Sequence, residues 1–235
     1  MKIGLTRTRR LEKHQFYLDW LKANEEIEIL TLSVDENNLE EINNCDALVL
    51  SGGVDVHPKF YDSDTVYPGA PKWFNEKRDE FEIAAFQSAE KNNIPILGIC
   101  RGMQLINVIH KGTLIQSLGM HDLNKVHKGS PDKSHPVNIE PGTILYDIVD
   151  SKQTEVNSAH HQAIDKLGEG LLINARSDEG IAEGIERKDK YQKPFLLAIQ
   201  WHPERMFRFQ LENSPASKAI RERFIEEIKK SIVIK

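Results

Sequence analysis

A chain of 235 residues, 39% hydrophobic and 29% charged, has the make-up of an ordinary globular protein that can bury a substantial core; it is neither disordered nor fibrous. Its 31 basic and 36 acidic residues leave a net charge of −5 with no dense Lys/Arg tract, which argues against nucleic acid as a partner. Cys45 and Cys100 are too few and too isolated for a disulfide framework or a zinc knuckle, and no signal-peptide core or membrane-length apolar span is visible, so a cytoplasmic protein without a membrane partner is expected.

The first elements alternate. Lys2 to Thr6 reads as a strand, His14 to Ala23 as a helix with Phe16, Tyr17, Trp20 and Leu21 at helical spacing, and Ile27 to Leu32 as a second strand. A short helix over Asn38 to Asn43 precedes the apolar run Cys45 to Leu50, a buried strand. This order predicts an α/β fold with a mostly parallel central sheet flanked by helices, in a single domain over 1–235. The third strand runs into Ser51-Gly52-Gly53-Val-Asp55-Val-His-Pro58. Paired glycines after a strand either expose backbone N–H groups to an anion or oxyanion, or simply make a turn.

The aromatic-dotted stretch Lys59 to Phe74 is long for a connection and is expected to form a lid or a pocket wall. Asn75 to Lys91 is an amphipathic helix, on which Asp79 and Glu82 share a face; solvated charges are the plainer explanation for them. The strand Ile94 to Ile99 then delivers Gly98-x-Cys100-x-Gly102 at the carboxyl end of the sheet, with a helix over Met103 to His110 behind it. Glycines flanking one reactive residue suit a nucleophile elbow, and the helix N-terminus favours a thiolate. A buried cysteine closing a strand fits this stretch equally well.

Beyond it, His121, His127 and His135 stand at intervals that match no metal-ligand spacing, so no metal is expected. Val137–Ile139, Val156–Ser158, Leu171–Ala175, Gly180–Glu186 and Phe195–Gln200 read as shorter strands forming a small β-rich edge, and Ser214 to Ile234 as a closing helix. The run Gln200-Trp-His202-Pro-Glu204 places two chemically useful side chains on one side of an extended segment. The carboxylate there would orient an imidazole able to take a thiol proton and return it to a leaving amine; a loop histidine beside a surface acid is the alternative.

Taken together, Gly98-Ile-Cys100-Arg-Gly102-Met-Gln104 and, about a hundred residues on, Gln200-Trp-His202-Pro-Glu204 resemble the class I glutamine amidotransferase superfamily. The resemblance is closer to its free-standing γ-glutamyl hydrolases, particularly the γ-glutamyl-γ-aminobutyrate hydrolase type. Ser51 to Pro58 with Tyr61, Arg78-Asp79-x-x-Glu82 and Asn157-Ser-Ala-His160-His-Gln162 follow the same pattern. What the resemblance implies is a flavodoxin-like fold with Cys100 as nucleophile, His202 as general base and acid, and Glu204 orienting it. It further implies an oxyanion hole from the N–H groups of Gly53 and Arg101, and contacts to the glutamyl group from Gln104 and the Asn157–Ser158 backbone, with His160 nearby. The reaction implied is hydrolysis of a small γ-glutamyl amide through a thioester, with no metal or organic cofactor; homodimerisation is left open. Lys111-Gly112 departs from the glycine pair usual after the nucleophile helix. A glutaminase subunit feeding a separate synthetase and a catalytically silent regulatory module are the competing expectations.

Overall fold

The computed structural model describes residues 1–23, 26–121, 127, 132–190 and 193–234. Five parallel strands form its centre: β1 (Lys2–Thr6), β2 (Glu28–Leu32), β3 (Ala47–Leu50), β4 (Ile96–Ile99) and β11 (Leu196–Ile199). Four antiparallel strands continue the same sheet: β6 (Lys133–Ile139), β7 (Gln153–Ser158), β9 (Leu171–Ser177) and β10 (Ala182–Arg187). The order across all nine is β2-β1-β3-β4-β11-β10-β9-β6-β7, and β5 (Leu114–Ile115) pairs separately with β8 (Ala163–Ile164).

Residues of alternating direction explain why the central strands read as unbroken apolar runs. In β3, Ala47 and Val49 enter one core while Leu48 and Leu50 enter the other; in β4, Leu97 and Ile99 oppose Ile96 in the same way. The first core is closed by α1 (Leu11–Lys22), α4 (Ile144–Val149) and α5 (Ile220–Ile234), through Tyr17, Leu21, Leu145, Phe224 and Ile228. The second is closed by α2 (Glu76–Lys91) and α3 (Arg101–Ile109), through Ala85, Phe86, Met103 and Ile106. Among the described residues no helix is long and apolar enough to cross a membrane.

The sheet register brings the chemistry together. Gly98 lies level with Leu50 on one side and Ala198 on the other, and Ile99 with Ile199, so β3, β4 and β11 end together. The N–H of Cys100 donates to the carbonyl of Ile199 at 2.7 Å, and the segments beginning at Ser51, Cys100 and Gln200 leave the sheet side by side.

Two expectations change here. The strand over Phe195–Gln200 is not part of a β-rich edge: β11 sits inside the sheet, parallel to β4 and antiparallel to β10, where the pairing direction switches. Its four core residues are all buried, which only a central position allows. The stretch from Lys59 to Phe74 is also less open than its length suggests. Pro58–Tyr61 forms a 3₁₀ turn capped by the His57 ring, and the Tyr67 hydroxyl donates to Asp55 at 2.7 Å. None of residues 59–74 lines the cavity that contains Cys100.

Candidate active site

Cys100 occupies the sharp turn between β4 and α3, with φ +54 and ψ −106. A non-glycine residue is strained in this backbone region, by about 1–3 kcal/mol. The strain is held because α3 packs directly over the end of β3: a Cβ on Gly102 would overlap the carbonyl oxygen of Leu50, so only glycine allows the helix to start there. Arg101 opens the helix, and its N–H therefore has no intrahelical acceptor.

His202 and Glu204 follow β11 on a segment held from several directions. Asn157 Oδ1 accepts the His202 N–H at 2.9 Å, the Ser217 hydroxyl donates to the Pro203 carbonyl at 3.0 Å, and the buried Trp201 indole donates to the Ala216 carbonyl at 3.0 Å. The His202 Nδ1 to Glu204 Oε1 distance is 2.7 Å, a short charge-assisted contact, and both side chains are buried.

Electrostatics couple the three residues. Burial alone would push the Cys100 thiol up, but the charge and hydrogen bond of His202, then the charges of His160 and Arg205, hold it below its ordinary value. Burial likewise opposes charge on His202; the adjacent Glu204 carboxylate outweighs it, Arg205 opposes and Cys100 assists, and the imidazole is pushed up to about 9. Glu204 is driven up by burial and brought below the carboxylate range by His202. The combination favours ionisation of the thiol beside a charged imidazole. Cys45, by contrast, is pushed up to about 11, chiefly by burial.

Tyr17, which helical spacing marks only as a core residue, also belongs to the site. Its hydroxyl accepts the Gly52 N–H at 3.0 Å and lies 3.4 Å from His202 Nδ1. A Cβ on Gly52 would lie 2.8 Å from Cε1 of His202, so the turn must be glycine for the imidazole to fit. With the Gly52 N–H engaged, the next donor along the turn is Gly53, which lines the Cys100 cavity.

Asp79 and Glu82 are not solvated. Both are 1% exposed, and both form ion pairs with Arg101, itself buried. Arg78 Nε donates to Glu82 at 2.8 Å, and its terminal nitrogen donates to the Ser51 hydroxyl and the Gly52 carbonyl, each at 3.1 Å. Asp79 also accepts the His57 N–H at 3.0 Å. Two guanidinium groups and two carboxylates thus join α2, the glycine turn and the residue after Cys100.

The remaining expected site residues take other partners. Gln104 Nε2 donates to the Gln162 carbonyl at 3.1 Å and to Gln200 Oε1 at 3.0 Å, the Ser158 hydroxyl donates to the His127 carbonyl at 2.8 Å, and the His160 ring lies 3.4 Å from Glu183. The side chains of Gln104, Asn157, Ser158 and His160 are buried behind the cavity, and it is Ala159, between two of them, that lines it. Lys111 occupies φ +68, a conformation that glycine adopts freely; its exposed ammonium lies 3.1 Å from Glu169 and does not line the cavity.

Comparison with known proteins shows the family of the chain. The peptidase C26 family model matches residues 17–204, from Tyr17 to Glu204. The chain belongs to the peptidase C26 family, of the class I glutamine amidotransferase-like type. It is 39% identical over 189 residues to "Putative glutamine amidotransferase PB2B2.05" of Schizosaccharomyces pombe, covering 79% of this chain and 71% of that protein. It is 30% identical over 169 residues to the γ-glutamyl-γ-aminobutyrate hydrolase PuuD of Escherichia coli, covering 68% of this chain and 64% of that one. The glutaminase domain of Trypanosoma brucei CTPS, solved with bound acivicin, shares the fold with a TM-score of 0.64 at 18% identity, over 98% of this chain and 94% of the other.

Two outcomes follow from the charges. Glu82→Ala leaves the buried Arg101 and Arg78 undercompensated and is expected to lower unfolding free energy by about 3–5 kcal/mol in urea denaturation. Iodoacetamide should alkylate Cys100 at lower pH than Cys45, which resists until the pH approaches 11, and His202→Ala should move the Cys100 profile upward, as read by peptide mass against pH. Because folding raises the His202 value, charging of its imidazole favours the folded state fully below about pH 6.5, and that contribution fades as pH rises through about 9.

Proposed function

We propose that this chain is a cysteine hydrolase that cleaves the γ-glutamyl amide bond of small γ-glutamyl compounds and releases glutamate. The observation that carries the reading is a thiol held in a strained turn, with its ionisation eased by a buried imidazole that a carboxylate keeps charged. Family membership and the more distant likeness to PuuD support the reaction class.

In the proposed sequence the Cys100 thiolate attacks the γ-carbonyl carbon. The developing oxyanion is met by the N–H groups of Gly53 and Arg101, both fixed before substrate arrives, so little reorganisation is required. His202, as imidazolium, gives its proton to the amide nitrogen; the C–N bond breaks, the amine leaves and a γ-glutamyl thioester remains. Water then loses a proton to His202 as its oxygen attacks the thioester, and the C–S bond breaks to release glutamate and restore the ion pair. Gln104 and the Asn157–Ser158 backbone are assigned to the glutamyl group as part of this proposal.

The cavity bears on the leaving group. It measures about 540 Å³, and its lining includes Arg9, Arg10, Lys13, Arg205 and Arg208 against Glu12, Asp132 and Glu204. Arg205 is balanced by Asp132 at 3.2 Å, and Glu204 belongs to His202, which leaves the mouth basic. Arg9 is braced over Trp73 and Arg208 over Phe16, with guanidinium carbons 4.5 and 5.1 Å from the ring centroids. A basic mouth favours a leaving amine that carries a carboxylate, as γ-aminobutyrate does, over a polycationic amine.

The purified chain alone should hydrolyse γ-glutamyl-γ-aminobutyrate faster than γ-glutamyl polyamines. A γ-glutamyl electrophile should leave a mass adduct on Cys100 and not on Cys45, and Cys100→Ala should lower turnover by about 10³-fold or more with the fold retained. Turnover should fall as pH rises through about 9, where the imidazolium is lost, and Glu204→Gln should shift that limb to lower pH. Ammonia release from glutamine only after a synthetase is added would replace this reading with a glutaminase subunit; absence of both turnover and adduct would leave a silent module.

A further inference from the structure

Behind the wall that carries Ala159, three imidazoles and one carboxylate meet in the interior. They are His127, His135 on β6, His160 in the turn after β7, and Glu183 on β10, and one donor atom from each lies within 4.8 Å of all the others. All four are buried, His127 and Glu183 completely. From Glu183 Oε1 the distances are 3.3 Å to Nδ1 of His127, 3.4 Å to Nε2 of His160 and 3.9 Å to Nε2 of His135.

These close approaches are not ordinary hydrogen bonds. The three facing nitrogens and both Glu183 oxygens lack a hydrogen-bond partner of acceptable geometry among the described residues. The opposite edge of each ring has an oxygen beside it: the Pro136 carbonyl at 3.0 Å for Nδ1 of His135, the Gln162 carbonyl at 2.9 Å for Nδ1 of His160, and a Glu179 carboxylate oxygen 3.5 Å from Nε2 of His127. A carbonyl accepts and cannot donate, so Nδ1 of His135 and of His160 carries the proton. In the neutral ring Nε2 then presents a lone pair to the centre. Lone pairs from several rings converging on a carboxylate repel one another unless a proton or a metal cation lies between them. An imidazole that offers one nitrogen inward while an oxygen holds the other edge is the outer-shell arrangement of metal-bound histidine.

We propose that His127, His135, His160 and Glu183 form a structural site for one zinc-class divalent cation. Zinc bound tetrahedrally at about 2.0–2.1 Å requires donor atoms about 3.3–3.4 Å apart, close to two of the three separations, and three imidazole nitrogens with one carboxylate oxygen suit that ion. Four protein donors leave no position for water, so the ion braces the fold and takes no part in bond cleavage. It would tie β6, β10 and the turn after β7 to the chain at His127, whose carbonyl already accepts the His160 N–H at 3.0 Å and the Ser158 hydroxyl. The geometry thereby gives His160 a ligand role in place of contact with substrate, and it revises the expectation of no metal. The sequence intervals conceal the site because its four members come from four separate segments.

The test uses the full chain, untagged and purified without added metal or chelator. Elemental analysis should find about one zinc per chain, and cobalt(II) exchanged into stripped protein should give the visible d–d bands of a four-coordinate site. Stripping should lower the melting temperature and zinc chloride should restore it. Glu183→Gln, which keeps the side-chain shape, should weaken zinc binding at least about 10-fold with near-ultraviolet circular dichroism retained. Should that variant fail to fold, His135→Gln read by the same cobalt bands serves instead. Cys100→Ser should leave stoichiometry and cobalt spectrum unchanged, which separates this cluster from adventitious binding at the thiolate. Folded protein that holds no zinc, gives no cobalt bands and shows no thermal shift with zinc would overturn the proposal, as would metal lost with Cys100→Ser.

Discussion

The buried ion network around Arg101 is the constraint on which the site depends. Arg101 follows Cys100 directly, so whatever fixes its side chain also fixes the first turn of α3 and the N–H that leads it. Asp79 and Glu82 hold that side chain in the interior, while Arg78 links the same carboxylates to Ser51 and to the carbonyl of Gly52. The two positive and two negative groups balance, which is what allows them to remain ionised away from water. Networks of this kind add little net stability compared with an apolar core; their value is that only one arrangement satisfies every member. Here that arrangement sets the spacing between the glycine turn and the cysteine.

A second layer of charge lies above the first. The imidazole of His202 sits between a carboxylate and a thiol, with Tyr17 anchoring the turn opposite, so the ring is surrounded by groups whose positions are set by helix and sheet packing. Toward solvent the balance tips to positive, through arginines propped on aromatic rings. The gradient runs from a neutralised base, through an ion pair, to a basic mouth. That ordering allows an anionic ligand to approach without disturbing the charge state of the groups beneath it.

Much of this is legible in the residues. Alternating strand and helix signals locate four of the five parallel strands, and Gly98-x-Cys100-x-Gly102 with His202-Pro-Glu204 identifies residues that meet at their ends. What the linear pattern hides is partnership. Asp79 and Glu82 look like solvated helix charges because Arg101, the cation that buries them, lies some twenty residues away. Phe195 to Gln200 looks like one more short strand among several, since periodicity does not tell an edge from a centre. His127, His135, His160 and Glu183 share no spacing at all; only the fold brings them together. Tyr17 has the apolar spacing of a core residue, and nothing local reveals that its hydroxyl reaches a glycine 35 positions on.

The position of β11 has a further meaning for the chain as it is made. The strand that forms the parallel pair with β4 and carries the imidazole is synthesised nearly a hundred residues after the cysteine, and the antiparallel hairpin of β9 and β10 must precede it. Every residue of the turn at Cys100 is available by the end of α3, yet the imidazole that holds its thiol below the ordinary value and the carboxylate that keeps that imidazole charged come only with residues 202 and 204. The emerging polypeptide therefore carries a dormant thiol. The easing of its ionisation arrives late, as a property of the closed sheet, and a chain that stops short of β11 has a thiol without the imidazole that lowers it.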